Sequence, residues 1–501
     1  MALIHPYSQA NGKSIESLIF SSRLMRKFLI VIFGFAVFFT TGCANRPINP
    51  PIAKVNLNTG YREFSAGLVE DQKRLPETAV ILALSGGGTR AAAFSYGVLE
   101  ALRDIEVVDQ NGKVTQALHH INLISGVSGG SFTALSYGLY GDELFDIYES
   151  AFLKRDVQGE LISRALNPFN WTNLASTGWG RSEMAAELYD EILFKNATYE
   201  DLRKRNGPMI LASATDISSG AGFTFDQGYF DYLCSDLDSM PISRAAASSS
   251  AVPFVLSPVT INNYGGSCQF EFPSYLKEFT NFVEIPRPAA RIIRQMGDLK
   301  RYHNGEESPY IHLVDGGLSD NLAMRPVLDF LQGFEAMHLA GKADSFDGVK
   351  RVIVIVVNSL SSPSTNWNKS IDGPGSIELL IKATGVPIDH YSYEEVEALK
   401  DTQARWKSMK TLRNSKIFSK NKNQQLENIV NTPNIDLFTI NVAFNQLEDR
   451  EEFEYLNGLP TSFSLPSQAI DRLRVAARKI ILSSPDFQRI MTDGNLRLIN
   501  K

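Results

Sequence analysis

The run 352–357, Val-Ile-Val-Ile-Val-Val, constrains the fold of this 501-residue chain more than any other stretch. A strand with one face in water alternates apolar and polar residues. A strand that is branched and apolar at every position is buried on both faces, as in the middle of a parallel sheet covered by helices. Shorter apolar runs at 80–84, 121–124, 209–214 and 311–314 read the same way. Helical periodicity fills the spaces behind the first two: 91–102, with Phe94, Val98 and Leu102 on one face, and 131–139. Strands alternating with helices predict an α/β fold in three layers around a central, mostly parallel sheet. Beyond residue 360 the composition shifts. Residues 391–430 are charged and helix-like, 437–442 is a candidate strand returning to the sheet, and 468–482 is an amphipathic helix. The expectation is a mainly helical C-terminal extension.

Two of the apolar runs end in glycine clusters. After 80–84 comes Ser85-Gly86-Gly87-Gly88-Thr89-Arg90, and after 121–124 comes Gly126-Val127-Ser128-Gly129-Gly130. A strand that turns sharply into a helix holds a serine hydroxyl out on the turn, and flanking glycines leave room for it; Gly126 and Gly130 fill that role around Ser128. Contiguous glycines let backbone amides approach a ligand atom closely, as stabilisation of a developing oxyanion requires. The contiguous Gly86-Gly87-Gly88 lacks the spacing of a dinucleotide fingerprint, and no Lys-Ser or Lys-Thr follows it as in a triphosphate-binding loop. A net charge of −6 gives no basic footprint, so nucleic acid is not an expected partner. These are the parts of a serine acyl hydrolase, which still needs a base. None of the seven histidines stands in a convincing triad context. Asp315, in Leu313-Val314-Asp315-Gly316-Gly317, sits where an apolar strand ends and glycines open a loop, the edge at which open α/β sheets bind ligands.

Taken in order, Gly86-Gly87-Gly88-Thr89-Arg90, Gly126-Val127-Ser128-Gly129-Gly130 and Asp315-Gly316-Gly317 resemble the patatin-like phospholipase family. Two further stretches, 208–216 and 244–254, resemble that family's central strand and its Ala-Ser helix-to-loop segment. The resemblance covers roughly residues 79–330. It implies a Ser128–Asp315 dyad without a catalytic histidine, oxyanion donors at Gly86, Gly87 and Gly88 with Arg90 supporting their loop, and a loop opened by Gly316 and Gly317. The implied reaction is hydrolysis of a phospholipid or other acyl ester through an acyl-enzyme. Acyl transfer to another acceptor would use the same parts, and a non-catalytic scaffold would keep the same fold; the intact serine, aspartate and glycines favour an enzyme. Possible metal ligands are scattered without ligand spacing, so neither metal nor other cofactor is expected. The weakly patterned segment 261–310 is a candidate lid.

The N-terminus bears on location. Arg23, Arg26 and Lys27 precede the apolar stretch 28–39, which closes on Thr40-Thr41-Gly42-Cys43. A basic region, a 12-residue apolar core and small residues form a secretory signal, too short for a comfortable membrane span. Met25 begins a complete signal by itself. The ending resembles a bacterial lipoprotein signal, which implies lipidation of Cys43; Ala44 after it implies the outer membrane, facing the periplasm. The layout is then a signal over 1–42, a lipidated irregular tether over 43–78, the catalytic domain over 79–360, and an extension over 361–501 packed on that domain or continuing it. With Cys43 set aside, Cys234 and Cys268 remain, an even pair in an oxidising compartment. Their spacing is compatible with a disulfide, the expectation adopted here, or with two buried thiols.

Overall fold

The computed structural model describes residues 46–62, 77–108, 112–174, 176, 178–271, 290–339, 349–363, 365, 367–369, 371, 373–415, 433–493 and 496–498. The segment expected to be a secretory signal, and Cys43, lie outside the described residues. The strand β1 (Thr78–Leu84) leads into helix α1 (Gly88–Arg103). After the short strands β2 (Ile105–Val108) and β3 (Val114–Gln116), β4 (Ile121–Val127) leads into α2 (Gly129–Tyr140). Helix α3 (Arg181–Tyr189) precedes β5 (Met209–Asp216) and β6 (Ala221–Thr224). Then come α4 (Ile242–Ser249), β7 (Val259–Asn262), α5 (Ala290–Tyr302), β8 (Tyr310–Asp315) and α6 (Arg325–Leu339). The chain continues through β9 (Arg351–Asn358), the long α7 (Ser376–Arg413), β10 (Asp436–Ala443) and α8 (Ser467–Ser483) to β11 (Leu496–Leu498), which pairs with β2.

The central sheet has eight strands in the order β10-β9-β1-β4-β5-β8-β7, with β6 also pairing β5. The five strands from β10 to β5 are parallel, whereas β8 and β6 run antiparallel to β5. Side-chain alternation explains the unbroken apolar run of β9. Ile353, Ile355 and Val357 face a core shared with α1, α2 and α8, while Val352, Val354 and Val356 face a second core shared with α6 and α7. Neither face meets water, so every position is apolar. Each such side chain contributes about 1.5–3 kcal/mol on burial. A charge at Val354 would break the sheet at its centre.

The C-terminal segment is not an appendage. Strand β10 adds to the sheet beside β9, and α8 packs on α1. A Cβ at Gly97 of α1 would fall 2.7 Å from Cα of Arg474, so the two helices approach backbone to backbone. Arg474 then reaches Glu100 at 2.6 Å, and Arg478 reaches Asp104 at 2.6 Å.

Residues 46–62, part of the expected irregular tether, are fastened to the domain. Asn49 mimics a strand partner for the edge strand β7: its Oδ1 accepts from Asn262 N at 2.8 Å and its Nδ2 donates to Asn262 O at 2.9 Å. The Arg46 guanidinium donates to Thr260 O and Asn262 Oδ1, and Tyr61 OH accepts from Ile210 N, where β5 begins. These side chains satisfy edge groups that would otherwise stand bare. A disulfide joins Cys234 to Cys268 in the adjoining loops. Of the segment expected to act as a lid, α5 packs Tyr302 edge-on against Phe223 at 5.9 Å. The stretch 272–289 lies outside the described residues.

Candidate active site

Ser128 occupies the turn between β4 and α2 with φ 49° and ψ −122°, a conformation that residues with a side chain avoid. Such strain persists only where the surroundings over-determine it, at about 1–3 kcal/mol. Here they do. Ser128 N donates to Ser249 Oγ at 2.9 Å, and Ser249 in turn donates to Ser213 O at 2.6 Å. Ser128 O accepts from both the amide and the hydroxyl of Ser131. The glycines around it are required by close approach: a Cβ on Gly130 would fall 2.6 Å from Ser85 O, and one on Gly126 would lie 2.9 Å from Gly130 O. Ser249 ends α4, and α4 is locked to α3 by the buried Arg244–Glu183 ion pair at 2.8 Å.

Asp315 ends β8. Sheet register pairs Val127 with Ser213 and Ala214 with Asp315, which brings together residues far apart in sequence at the C-terminal edge of the parallel strands. Ser128 Oγ donates to Asp315 Oδ2 at 2.9 Å, while Gly317 N donates to Oδ1 at 2.8 Å. Asp315 N is held by Ala251 O, and Asp315 O accepts from Thr215 Oγ1. Gly316 leaves no room for a side chain, because a Cβ there would run into Ser213 O and Val127. Burial raises the Asp315 carboxyl to about 6, with the hydrogen bonds from Gly317 and Ser128 acting in the opposite direction. The group is therefore ionised at neutral pH yet basic enough to take a proton. Both side chains are buried.

The glycine loop lies over the serine: a Cβ on Gly86 would come 3.3 Å from Ser128 Cβ, and one on Gly129 would run into Gly88 O. Gly87 (φ 136°) and Gly88 (φ 61°) adopt backbone conformations that favour glycine. The sequence-based assignment of three donors is corrected at Gly86, whose amide is taken by Asn321 O at 2.8 Å. The amides of Gly87 and Gly88 have no acceptor among the described residues. The N-termini of α1 and α2 both end here, adding partial positive charge where an oxyanion would form. Arg90 does not enter the site as a donor. Its buried guanidinium donates to Ser359 O (2.9 Å), Leu459 O (2.6 Å) and Thr461 Oγ1 (3.2 Å), and it forms no ion pair among the described residues. Burial pulls it down to about 10, so it is charged at neutral pH.

His119, His120, His303 and His312 have partners elsewhere: His120 contacts Thr115, His119 contacts Asp142, His303 packs on Phe270, and His312 contacts Thr260. Among the described residues no cluster of three or more His, Cys, Asp or Glu side chains could hold a metal ion, and no helix is long and apolar enough to cross a membrane. Sequence reasoning missed Ser249, Asn321 and Ser359. Ser249 lies inside the Ala-Ser stretch already singled out, but no spacing marked it.

These features define an α/β protein whose site joins a serine on a strained strand-to-helix turn to a buried carboxylate, under a glycine loop. A family model described as patatin-like phospholipase matches residues 82–328, so the chain carries a patatin-like phospholipase domain over that span. Solved structures that align with the chain include human GIVD cytosolic phospholipase A2 (12% identity, 83% of this chain and 63% of that chain, TM-score 0.39). The same human enzyme in complex with methyl gamma-linolenyl fluorophosphonate aligns at 13% identity over 83% of this chain and 58% of that chain, TM-score 0.35. VipD from Legionella pneumophila aligns at 10% identity over 88% of this chain and 72% of that chain, TM-score 0.23. The chain thus spans less than two thirds of the human structures it aligns with. No curated protein matches it.

Proposed function

We propose that this protein is a membrane-anchored serine lipid acyl hydrolase in which Ser128 is the nucleophile and Asp315 the general base. The observation that carries the reading is the 2.9 Å hydrogen bond from Ser128 Oγ to the buried Asp315. As Oγ attacks the ester carbonyl carbon, its proton passes to Asp315 Oδ2, and the carbonyl oxygen becomes an oxyanion facing the Gly87 and Gly88 amides. Collapse of this intermediate breaks the ester C–O bond. The proton on Asp315 goes to the departing alkoxide, leaving an acyl group on Ser128. Water then repeats the sequence, Asp315 taking its proton, and the fatty acid leaves. Losing one oxyanion donor of this kind typically costs about 3 kcal/mol of transition-state stabilisation.

The substrate is a phospholipid or a similar acyl ester. Ala251, whose carbonyl holds Asp315 N, leads into Phe254 and Val255, which are 75% and 63% exposed and form an apolar lip beside the site. The lipid anchor is Cys43, and the docking of the following segment supports it. Arg46 is fastened to Thr260 and Asn262. Those residues pair with His312 and Tyr310, past the C-terminal end of β5 and on the same end of the sheet as Asp315. Three residues reach about 10 Å, so an acylated Cys43 would hold this end close to the bilayer surface. The location that follows is the bacterial cell envelope, at the periplasmic face of the outer membrane.

A fluorophosphonate probe tests the chemistry. It should label the wild-type protein and leave Ser128→Ala unlabelled; labelling that survives Ser128→Ala refutes the assignment. Cys43→Ser should abolish incorporation of labelled fatty acid, and persistence of that label in the variant refutes the anchor.

A further inference from the structure

The glycine loop is held mainly by residues that lie outside the family-matched span. Ser359, just beyond β9, donates from Oγ to Gly86 O at 3.0 Å, exchanges a second hydrogen bond with Ser85 Oγ, and offers its carbonyl to Arg90. Farther on, Ser462 O accepts from Thr89 N at 2.8 Å, and Ser462 forms a parallel bridge with Gly88. Its carbonyl sits so close that a Cβ on Gly88 would collide with it. Arg90 gathers both pieces by donating to Ser359, Leu459 and Thr461. The 459–462 turn is itself fixed from outside: Gln158 Oε1 accepts from Ser462 Oγ at 2.9 Å and from Phe463 N at 3.2 Å. Then α8 begins and lies along α1, whose first turn carries the loop.

We infer that the 459–462 turn and Ser359 form a clamp that positions the Gly87 and Gly88 amides, so the C-terminal segment is a working part of the catalytic site. This inference rests on the hydrolase reading above. The physical need is clear. Two glycines with positive φ are free to take many conformations, and an amide stabilises an oxyanion only if it is already aimed when charge develops. Around these two amides, Ser85 N is held by Val357 O of β9, Gly86 N by Asn321 O, Gly86 O by Ser359 and Thr89 N by Ser462 O. Arg90 faces carbonyls and a hydroxyl instead of a carboxylate, so its charge stays uncancelled beneath the loop and favours the oxyanion as well as tying the pieces together. Gln158, Thr461 and Ser462 are positioning residues; none touches Ser128 or Asp315.

The test uses the full chain, a soluble p-nitrophenyl ester and a fluorophosphonate probe. Gln158 and Thr461 are exposed, so Gln158→Leu and Thr461→Val should fold with unchanged melting temperatures. Each should lower kcat and the second-order labelling rate about three- to tenfold, a fraction of the hundredfold effect of deleting a donor outright. KM should be unchanged, because ground-state binding does not use the amides. Gln158→Glu, which keeps the acceptor, should restore kcat at pH 8. Wild-type kcat in both Gln158→Leu and Thr461→Val overturns the clamp, as does a loss in Gln158→Leu that Gln158→Glu fails to restore. If the wild-type protein itself resists the probe, the hydrolase reading falls and takes the clamp with it.

Discussion

Replacing Asp315 by Asn should make the protein more stable while removing its turnover. Burial raises the Asp315 carboxyl from 3.8 to about 6. Between those values the folded protein holds a proton that the unfolded chain has released, so stability falls as pH rises through the window, and the full loss is present above about pH 6. At 1.36 kcal/mol per unit, the charged carboxylate destabilises the fold by about 3 kcal/mol at pH 8 and by about 1 kcal/mol at pH 4.5. Asn is isosteric and neutral. Its Oδ1 still accepts from Gly317 N, and its Nδ2 points one N–H toward Ser128 Oγ; the second N–H is left unpaired, at roughly 1 kcal/mol. That last penalty does not depend on pH and cancels in a comparison between two pH values. Urea unfolding of both proteins should therefore show Asp315→Asn gaining about 2 kcal/mol relative to wild type between pH 4.5 and pH 8. Ester hydrolysis by the wild type should fall tenfold per unit below about pH 6, because the protonated base cannot take the serine proton. A stability difference that is the same at both pH values refutes the buried, charged base. Hydrolysis that survives Asp315→Asn refutes its role.

Gly88→Ala puts a methyl group against Ser462 O at a residue with φ 61°, so the loop must move. Turnover of a soluble ester should drop at least about a hundredfold, the scale of losing one oxyanion donor. Ser249→Ala removes the hydroxyl that holds Ser128 N and bonds Ser213 O; kcat should fall about tenfold, with a loss of about 1–3 kcal/mol in urea unfolding. Replacing Cys234 and Cys268 together by Ala opens a bridge of sequence separation 34. By loop-closure entropy this should destabilise the protein by about 3–4 kcal/mol, and reductant should lower the melting temperature of the wild type alone.

The strands and their helices were largely legible because burial on both faces leaves a one-dimensional signature. The runs at 80–84, 121–124, 209–214, 311–314 and 352–357 all fall inside observed strands, and so does the candidate at 437–442. The direction of each strand and its neighbours were not legible. Nothing in Tyr310–Asp315 distinguishes a strand antiparallel to β5 from a further parallel one, since both are buried apolar runs. Ser128 and Asp315 stood out for a different reason. Each ends a buried strand at a turn too crowded for side chains, so glycines mark the spot; Gly130 and Gly316 abut carbonyls of neighbouring strands.

The supports of the site left no such mark, and the physical reason is the kind of bond they make. Asn321 holds Gly86 N, and Ser462 holds Thr89 N, through backbone carbonyls, which every residue possesses. Ser249 and Ser359 act through hydroxyls common anywhere on a chain. Arg90 is the informative case. The family resemblance gives Arg90 as a support of the glycine loop, but nothing in the sequence names the groups it holds. Its actual acceptors are Ser359 O, Leu459 O and Thr461 Oγ1, separated from it by 269 to 371 residues. An interaction of that span becomes visible only once β9 has been laid beside β1 and α8 along α1, which brings both loops to the first turn of α1. On the proposed reading the motif names the residues at which bonds change, whereas the whole sheet, including the part contributed after residue 350, decides whether the Gly87 and Gly88 amides are aimed when they do.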